Sequence, residues 1–243
     1  MKRFLSKLFM GLCALGTSVV VFAQDAPAVE TSFHQALKIK FIEGSADFMS
    51  SIAIVMILGL AFALERIIYL NLADTDAKKL LSGIEEALGK GKVDEAKEIA
   101  RNTRGPIASI AYQGLMRIDQ GIDIVEKSII SYGGVQGGLL EKNLSWITLF
   151  IAMAPSLGFL GTVVGMVMAF DKIEQVGDIS PTIVAGGMKV ALITTVGGLI
   201  VALILQVFYN YLLSKLEAIL NKMEDASITL LDLIIKYDVE YKK

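Results

Sequence analysis

Cysteine and histidine are almost absent from this sequence of 243 residues: Cys13 and His34 are its sole examples, and only four prolines occur. A single cysteine excludes an internal disulfide framework. Cys13 lies in the extreme N-terminal segment, which all but excludes a Cys/His metal site and thiolate catalysis for the body of the protein, and no cofactor, metal or enzymatic activity is expected. The 23 basic and 25 acidic residues leave a net charge of −2, without the basic surplus that nucleic acid or a polyanionic substrate would require. A local absence says most: the stretches 143–170 and 190–214 contain no carboxylate at all.

What is present instead is apolar. Hydrophobic residues make up 54% of the chain, which places it with helical membrane proteins rather than soluble domains. At the N-terminus, Lys2, Arg3 and Lys7 precede an apolar run from Leu8 to Phe22 and the small-residue sequence around Ala23. This pattern predicts a signal peptide over 1–23, the alternative being an uncleaved membrane helix only slightly short of a span. Cleavage would leave 24–46 as an extracytoplasmic, periplasmic segment.

The first span is expected over 47–72. Seventeen uncharged residues from Phe48 to Leu64 precede Glu65 and Arg66, and Ile67 to Leu72 completes the crossing length. Glu65 and Arg66 then fall near the cytoplasmic interface, as an ion pair, as snorkelling side chains, or with a part in transport.

Residues 73–142 carry both charge signs and helical periodicity, which predicts a cytoplasmic helical region. Leu80, Leu81, Ile84 and Leu88 mark one helix, ended by Gly89 and Gly91. Val93 to Arg101 forms a second, with Asp94 as a candidate cap; a third follows Gly105-Pro106, and a fourth begins at Ile122. Gly133-Gly134 and Gly137-Gly138 are expected to loosen or bend the approach to the membrane. They lack a phosphate-loop lysine and a preceding strand, so no nucleotide site is read from them.

The second span, 143–171, holds Ala154 and Gly158, and Gly161 and Gly165, each pair four residues apart, a spacing that lets helix backbones approach closely in lipid. Pro155 and Thr162 lie seven apart and share a face. Pro155 frees a carbonyl inside the membrane, which calls for a polar environment on that side. A short charged segment from Asp171 to Ser180 marks the connecting loop, bounded at 172–182, and makes the second and third spans a hairpin. In the third span, 183–214, Ala191, Thr195, Gly198, Ala202, Gln206 and Asn210 form one stripe of small and polar residues, while Val190, Ile193, Val201, Leu205 and Leu212 suit lipid or packing. Such a stripe serves either as interhelical glue or as a pore wall; Thr162 on the neighbouring helix favours a lumen. Residues 215–243 continue as a cytoplasmic C-terminal helix.

Leu157-Gly158-Phe159-Leu160-Gly161-Thr162-Val163-Val164-Gly165, together with Ala191-Leu192-Ile193-Thr194-Thr195-Val196-Gly197-Gly198-Leu199, resembles the two signature helices of the MotA/TolQ/ExbB proton channel family. Phe41-Ile42-Glu43-Gly44 and Phe62-Ala63-Leu64-Glu65-Arg66-Ile67-Ile68-Tyr69-Leu70 resemble the first helix of ExbB-type members. The similarity spans about residues 37–215, in matching order.

The resemblance implies an all-α membrane protein of three long helices extending into the cytoplasm, assembled as a homo-oligomeric ring of five in the bacterial inner membrane. Such a ring surrounds helices of an ExbD-like or TolR-like single-span partner, and proton flow drives the partner's motion. In ExbB systems this motion reaches a TonB-like protein and energises outer-membrane uptake. A TolQ-like or gliding-type stator, or a non-conducting scaffold, are the competing roles. By matching position, Thr162 and Thr195 are the implied pore-facing hydroxyls, with Thr194 adjacent at a different angle. Hydroxyls do not titrate usefully, whereas moving protons through hydrocarbon needs a group that does. The titrating carboxylate is therefore expected from the partner. Too few oxygen ligands lie in one chain to favour sodium over hydrogen ions.

One departure concerns the third helix: where family members often carry a glutamate, this chain has Val190, beside Lys189. Lys189 is expected to snorkel to the interface or to pair with Asp171, Glu174 or Asp178, the other reading being a direct role in conduction.

Overall fold

A 61-residue helix, Pro181–Tyr241, runs from one end of the third apolar span far beyond its other end without a break. At about 1.5 Å per residue it is roughly 90 Å long, three times the ~30 Å hydrocarbon core. The structure is a computed structural model that describes residues 33–178 and 180–241; the expected signal peptide therefore lies outside the described residues. The described residues are helical: α1 Phe33–Glu43, α2 Ala46–Ala73, α3 Ala77–Gly89, α4 Val93–Asn102, α5 Pro106–Leu115, a 3-10 turn at Ile118–Gln120, α6 Ile122–Glu141, α7 Leu144–Val176 and α8 Pro181–Tyr241.

Three of these helices, α2, α7 and α8, contain windows long and apolar enough to cross a bilayer. Their exposed surface is apolar, as a lipid or partner environment requires: Ile57, Phe159, Leu192 and Leu203 are among the side chains turned outward. Inside this bundle Ile52, Val55, Phe150, Ala154, Val201 and Leu205 pack together. Near the end of the bundle that adjoins the short helices, Phe62, Trp146 and Phe150 pack with ring centroids 5.8 to 6.5 Å apart.

The helix does not break at the boundary expected near Ser214. Beyond it α8 keeps one apolar stripe, Leu212, Leu216, Ile219, Met223, Ala226, Leu230 and Ile234, spaced by three or four residues and buried against the shorter helices. That stripe closes the core of the short helices with Ile84, Ile110, Leu115, Ile118 and Leu140. Nothing between Gly198 and Tyr241 breaks the helix, since both glycine and proline are missing there.

Local chemistry explains the other ends. Asp76 caps α3 by accepting from the Lys78 and Lys79 amides at 3.1 and 3.4 Å. Asp94 is not the cap of α4: the N-cap residue is Lys92, and Asp94 sits in the first turn, 3.4 Å from Lys97. Its carboxylate still complements the positive end of the helix. Pro106 opens α5 behind Gly105, whose φ of +112° is open to glycine alone at low cost. Gly133, Gly134, Gly137 and Gly138 do not interrupt the helix, for α6 is continuous through all four. Flanking residues with apolar contacts hold it: Val125, Ile129 and Leu140 are buried on its inner face.

The loop expected from Asp171 is shorter than its charges suggested. Helix α7 continues to Val176 and stops at Gly177, where φ is +73° and the amide donates to the Ile173 carbonyl at 2.9 Å. Charges at Asp171, Lys172 and Glu174 do not terminate a helix, whereas a left-handed glycine does.

Candidate functional site

Helices α7 and α8 make the most extensive contact in the bundle, and small residues set its closeness. On α7 the buried row is Ala154, Gly158, Gly161, Gly165 and Ala169; on α8 it is Ala191, Thr194 and Gly198. A Cβ on Gly158 would lie 2.9 Å from the Thr194 carbonyl oxygen and 3.1 Å from Thr195 Cα. One on Gly161 would lie 2.8 Å from Thr194 Oγ1, and one on Gly198 would lie 3.3 Å from Gly158 Cα. The backbones therefore touch along about three turns, a geometry that only glycine permits.

This close approach brings two hydroxyls together. Thr162 Oγ1 and Thr195 Oγ1 lie 2.5 Å apart. Each also reaches the carbonyl one turn earlier on its own helix and the corresponding carbonyl on the other: Thr162 to Gly158 and Ala191 at 3.2 and 3.1 Å, Thr195 to Ala191 and Gly158 at 3.3 Å each. A hydroxyl donates one proton and accepts from two lone pairs. Two protons are thus shared among four oxygens, so one threonine donates to its partner and the partner donates to a carbonyl. The direction can reverse by rotating two hydroxyls, without moving a heavy atom. Both residues are half-buried within the chain.

Thr194, by contrast, is fully buried and donates back to its own helix, to Ala191 O at 2.8 Å and Val190 O at 3.2 Å. It fills the space beside Gly161. Gln206 and Asn210 lie on the less buried side of α8, with Gln206 Nε2 donating to Asn210 Oδ1 at 3.4 Å. Pro155 lies inside α7, half-buried. Seven residues before it stands Thr148, on the same face, which donates to the Leu144 carbonyl at 3.3 Å. Sequence reasoning passed over Thr148, though the seven-residue spacing Thr148, Pro155, Thr162 was there to find. Of the residues set opposite the polar stripe, Val201, Leu205 and Leu212 are buried in protein.

Charged groups flank the bundle. Lys189 bonds Glu43 at 2.6 Å, so its partner is neither Asp171 nor Glu174 nor Asp178. Glu43 stands 146 positions away in sequence, and no local pattern links the two. Arg66 is 4% exposed, forms an ion pair with the neighbouring Glu65 through two guanidinium nitrogens, and donates through Nη1 to the Lys142 carbonyl at 2.9 Å. It also lies over the Tyr69 ring, 4.4 Å from the centroid. Past the end of α2, Asp74 accepts from Lys215 at 2.5 Å and from Lys222 at 2.6 Å. The Lys215 ammonium, then Lys222, holds the Asp74 carboxyl below the usual aspartate range. Among the described residues no three His, Cys, Asp or Glu side chains are grouped as metal ligands.

Comparisons with known proteins identify a family. The sequence profile of the MotA/TolQ/ExbB proton channel family matches residues 102–225. The chain is 30% identical over 174 residues to the putative biopolymer transport protein ExbB homolog of Methanothermobacter thermautotrophicus, covering 71% of this chain and 62% of that protein. It is 36% identical over 78 residues to the biopolymer transport protein ExbB of Aquifex aeolicus, covering 32% of this chain and 53% of that protein. With the biopolymer transport protein ExbB of Helicobacter pylori, identity is 34% over 83 residues, 34% of this chain and 57% of that protein. Each match spans less than two thirds of the relative's own length. Both signature helices fall inside the matched region, and the chain belongs to the MotA/TolQ/ExbB proton channel family.

Proposed function

We propose that this chain is the multi-pass inner-membrane subunit of a proton-driven motor of the ExbB–ExbD type, with its N-terminus periplasmic and its C-terminus cytoplasmic. Five copies form a ring around the helices of a single-span, ExbD-like partner, and the assembly uses the proton motive force to drive a TonB-like protein in outer-membrane transport. The observation that carries this reading is the Thr162–Thr195 pair: two hydroxyls share two protons among four oxygens, in the stretches 143–170 and 190–214 that contain no acid.

Such a pair can relay a hydrogen bond and reverse its direction, and it can hold a water or a protonated carboxyl. It does not change its own charge at any ordinary pH, so it does not load or release a proton alone. The division of labour follows. The partner's membrane carboxylate titrates, while Thr162 and Thr195 position its proton; Gln206 and Asn210 extend the polar face towards the cytoplasm. Thr194 acts as packing in this reading, because its hydroxyl is fully buried and bonded within its own helix. Lys189 and Glu43 stand as an ion pair beside Val190, where relatives often carry glutamate.

The test is proton flux in vesicles holding this chain and its single-span partner. Motor activity requires flux that disappears when the partner's membrane carboxylate is neutralised. A non-conducting scaffold gives no flux with either form. A TolQ-like or gliding-type stator gives the same flux and differs in the protein that co-purifies with it.

A further inference from the structure

We infer that neighbouring copies of this chain meet through α6 of one copy and the outward face of cytoplasmic α8 of the next. This rests on the multi-copy reading above. Glycine weakens a helix, and α6 carries four. The protomer itself explains none of the four. A Cβ on Gly134 or Gly138 would meet nothing within 4 Å, one on Gly133 would come no nearer than 3.9 Å to Ile110 Cδ1, and one on Gly137 would make an ordinary 3.5 Å contact with Leu220. Gly134 and Gly138 are exposed, four residues apart on one face. This is the spacing that admits another helix at close range.

Away from the membrane the same face carries exposed Lys127, with exposed Asp123 one turn beyond it. Arg117, Lys127, Ser128 and Ser131 line a groove of about 320 Å³ with Ile124 and Val135 as its apolar walls, and no carboxylate lines it. Arg117 is anchored there by Gln113 Oε1 and Ser128 Oγ, both at 2.8 Å. Lys127 is exposed and forms no ion pair with another described residue. Apolar walls with cationic ends call for an acidic helix carrying one apolar side chain.

Such a face exists on α8. Ala218, Asn221, Asp225, Ile228 and Asp232 recur at intervals of three and four, and all five are exposed. Ile228 is 58% exposed. This face points away from the stripe that α8 buries in its own core. Heights agree as well. Helix α6 runs towards the membrane and α8 away from it, and the contact between Gly137 and Leu220 sets their levels. Counting from that pair, Gly138 stands level with Ala218 and Ile219, Gly134 with Met223, and Lys127 with Leu230, between Ile228 and Asp232. In a ring whose axis is the membrane normal, equal heights meet. Small then faces small near the membrane, and base faces acid beyond it. Two different surfaces of one chain form this contact, so it is heterologous and closes a ring by rotation.

Cysteine pairs test the contact in the full chain, in membranes, with Cys13→Ser as background. Oxidation of Gly138→Cys with Ala218→Cys should give a ladder of covalent multimers on denaturing gels, and each single variant should give none. Lys127→Glu should lose most of that ladder and Asp232→Lys added to it should restore it. Lys127→Cys with Asp232→Cys serves as a second pair should the first disturb packing. An intact oligomer by native mass without a ladder from either pair, or a ladder from a single variant, overturns this contact alone. A wild-type chain that is monomeric by native mass overturns the contact and the multi-copy reading together.

Discussion

Arg66 reaches across from the first span to the Lys142 backbone carbonyl at 2.9 Å, at the corner where α6 gives way to α7. That corner needs a donor. Lys142 is extended and Asn143 is left-handed, with φ of 68°, so the chain turns sharply between two long helices there. Arg66 meets the carbonyl and the Glu65 carboxylate at once, a division that suits a planar, forked cation. Arg66→Met is expected to lower stability by about 1–3 kcal/mol through the orphaned carbonyl and the unpaired acid. Arg66→Lys should recover only part of this. Thermal unfolding in detergent checks both.

Asp74 joins the end of the first span to α8 through Lys215 and Lys222. Its pKa is lowered in the folded chain, chiefly by Lys215. A depressed carboxylate stabilises the fold at pH values above its unfolded pKa, and that contribution is lost as pH falls through the folded value. Stability should therefore hold from neutrality down to about pH 4, the ordinary aspartate range, and fall below it. Asp74→Asn should be less stable at pH 7 and should lack this acidic component. Unfolding midpoints measured across that pH range provide the check.

Glycines on the two faces should respond in opposite directions. Gly158→Ala places a methyl 2.9 Å from the Thr194 carbonyl oxygen, a backbone atom that cannot turn aside. A loss of about 1–3 kcal/mol is expected as α7 and α8 separate. Gly134→Ala meets nothing in its own chain and should stabilise the isolated protomer by up to ~1 kcal/mol. Unfolding of the detergent-solubilised protomer separates the two.

The Lys189–Glu43 pair lies at 2.6 Å with side chains 52% and 27% exposed. An exposed pair of this kind contributes about 0–1 kcal/mol. Lys189→Glu should thus leave the unfolding midpoint nearly unchanged. A large drop in transport from the same change, recovered by adding Glu43→Lys, would place the pair in proton entry. An unchanged rate would leave it as a surface contact.

Much of this arrangement is legible in the sequence, and the illegible part has a common cause. Hydropathy and spacing predict the three spans, and small residues four apart predict a close helix contact. Pro155 and Thr162 share a face by arithmetic alone. A helical wheel gives angles but not neighbours. It therefore groups Thr195 with Ala191 and Gly198, which turn towards α7, and with Asn210, which is exposed. It also leaves Leu205 suited equally to lipid or protein, although Leu205 packs against the first span at Gly59. Lys189 finds Glu43, and Arg66 finds Lys142, because the bundle folds them together. No periodicity encodes contacts between residues 146 and 76 positions apart. Asp94 shows the same limit at short range, since a shift of two residues in the helix start, from Asp94 to Lys92, decides which residue stands at the cap.

The central claim is that the hydroxyls of Thr162 and Thr195 take part in conduction. Proton flux through vesicles containing this chain and the proposed single-span partner tests it most directly, comparing the wild type with Thr162→Val/Thr195→Val and Thr162→Ser/Thr195→Ser. Valine keeps the shape and removes both hydroxyls, while serine keeps the hydroxyls. Flux is predicted to vanish in the valine pair and to persist in the serine pair, with the assembled complex intact in both. Normal flux through the valine pair would contradict the account.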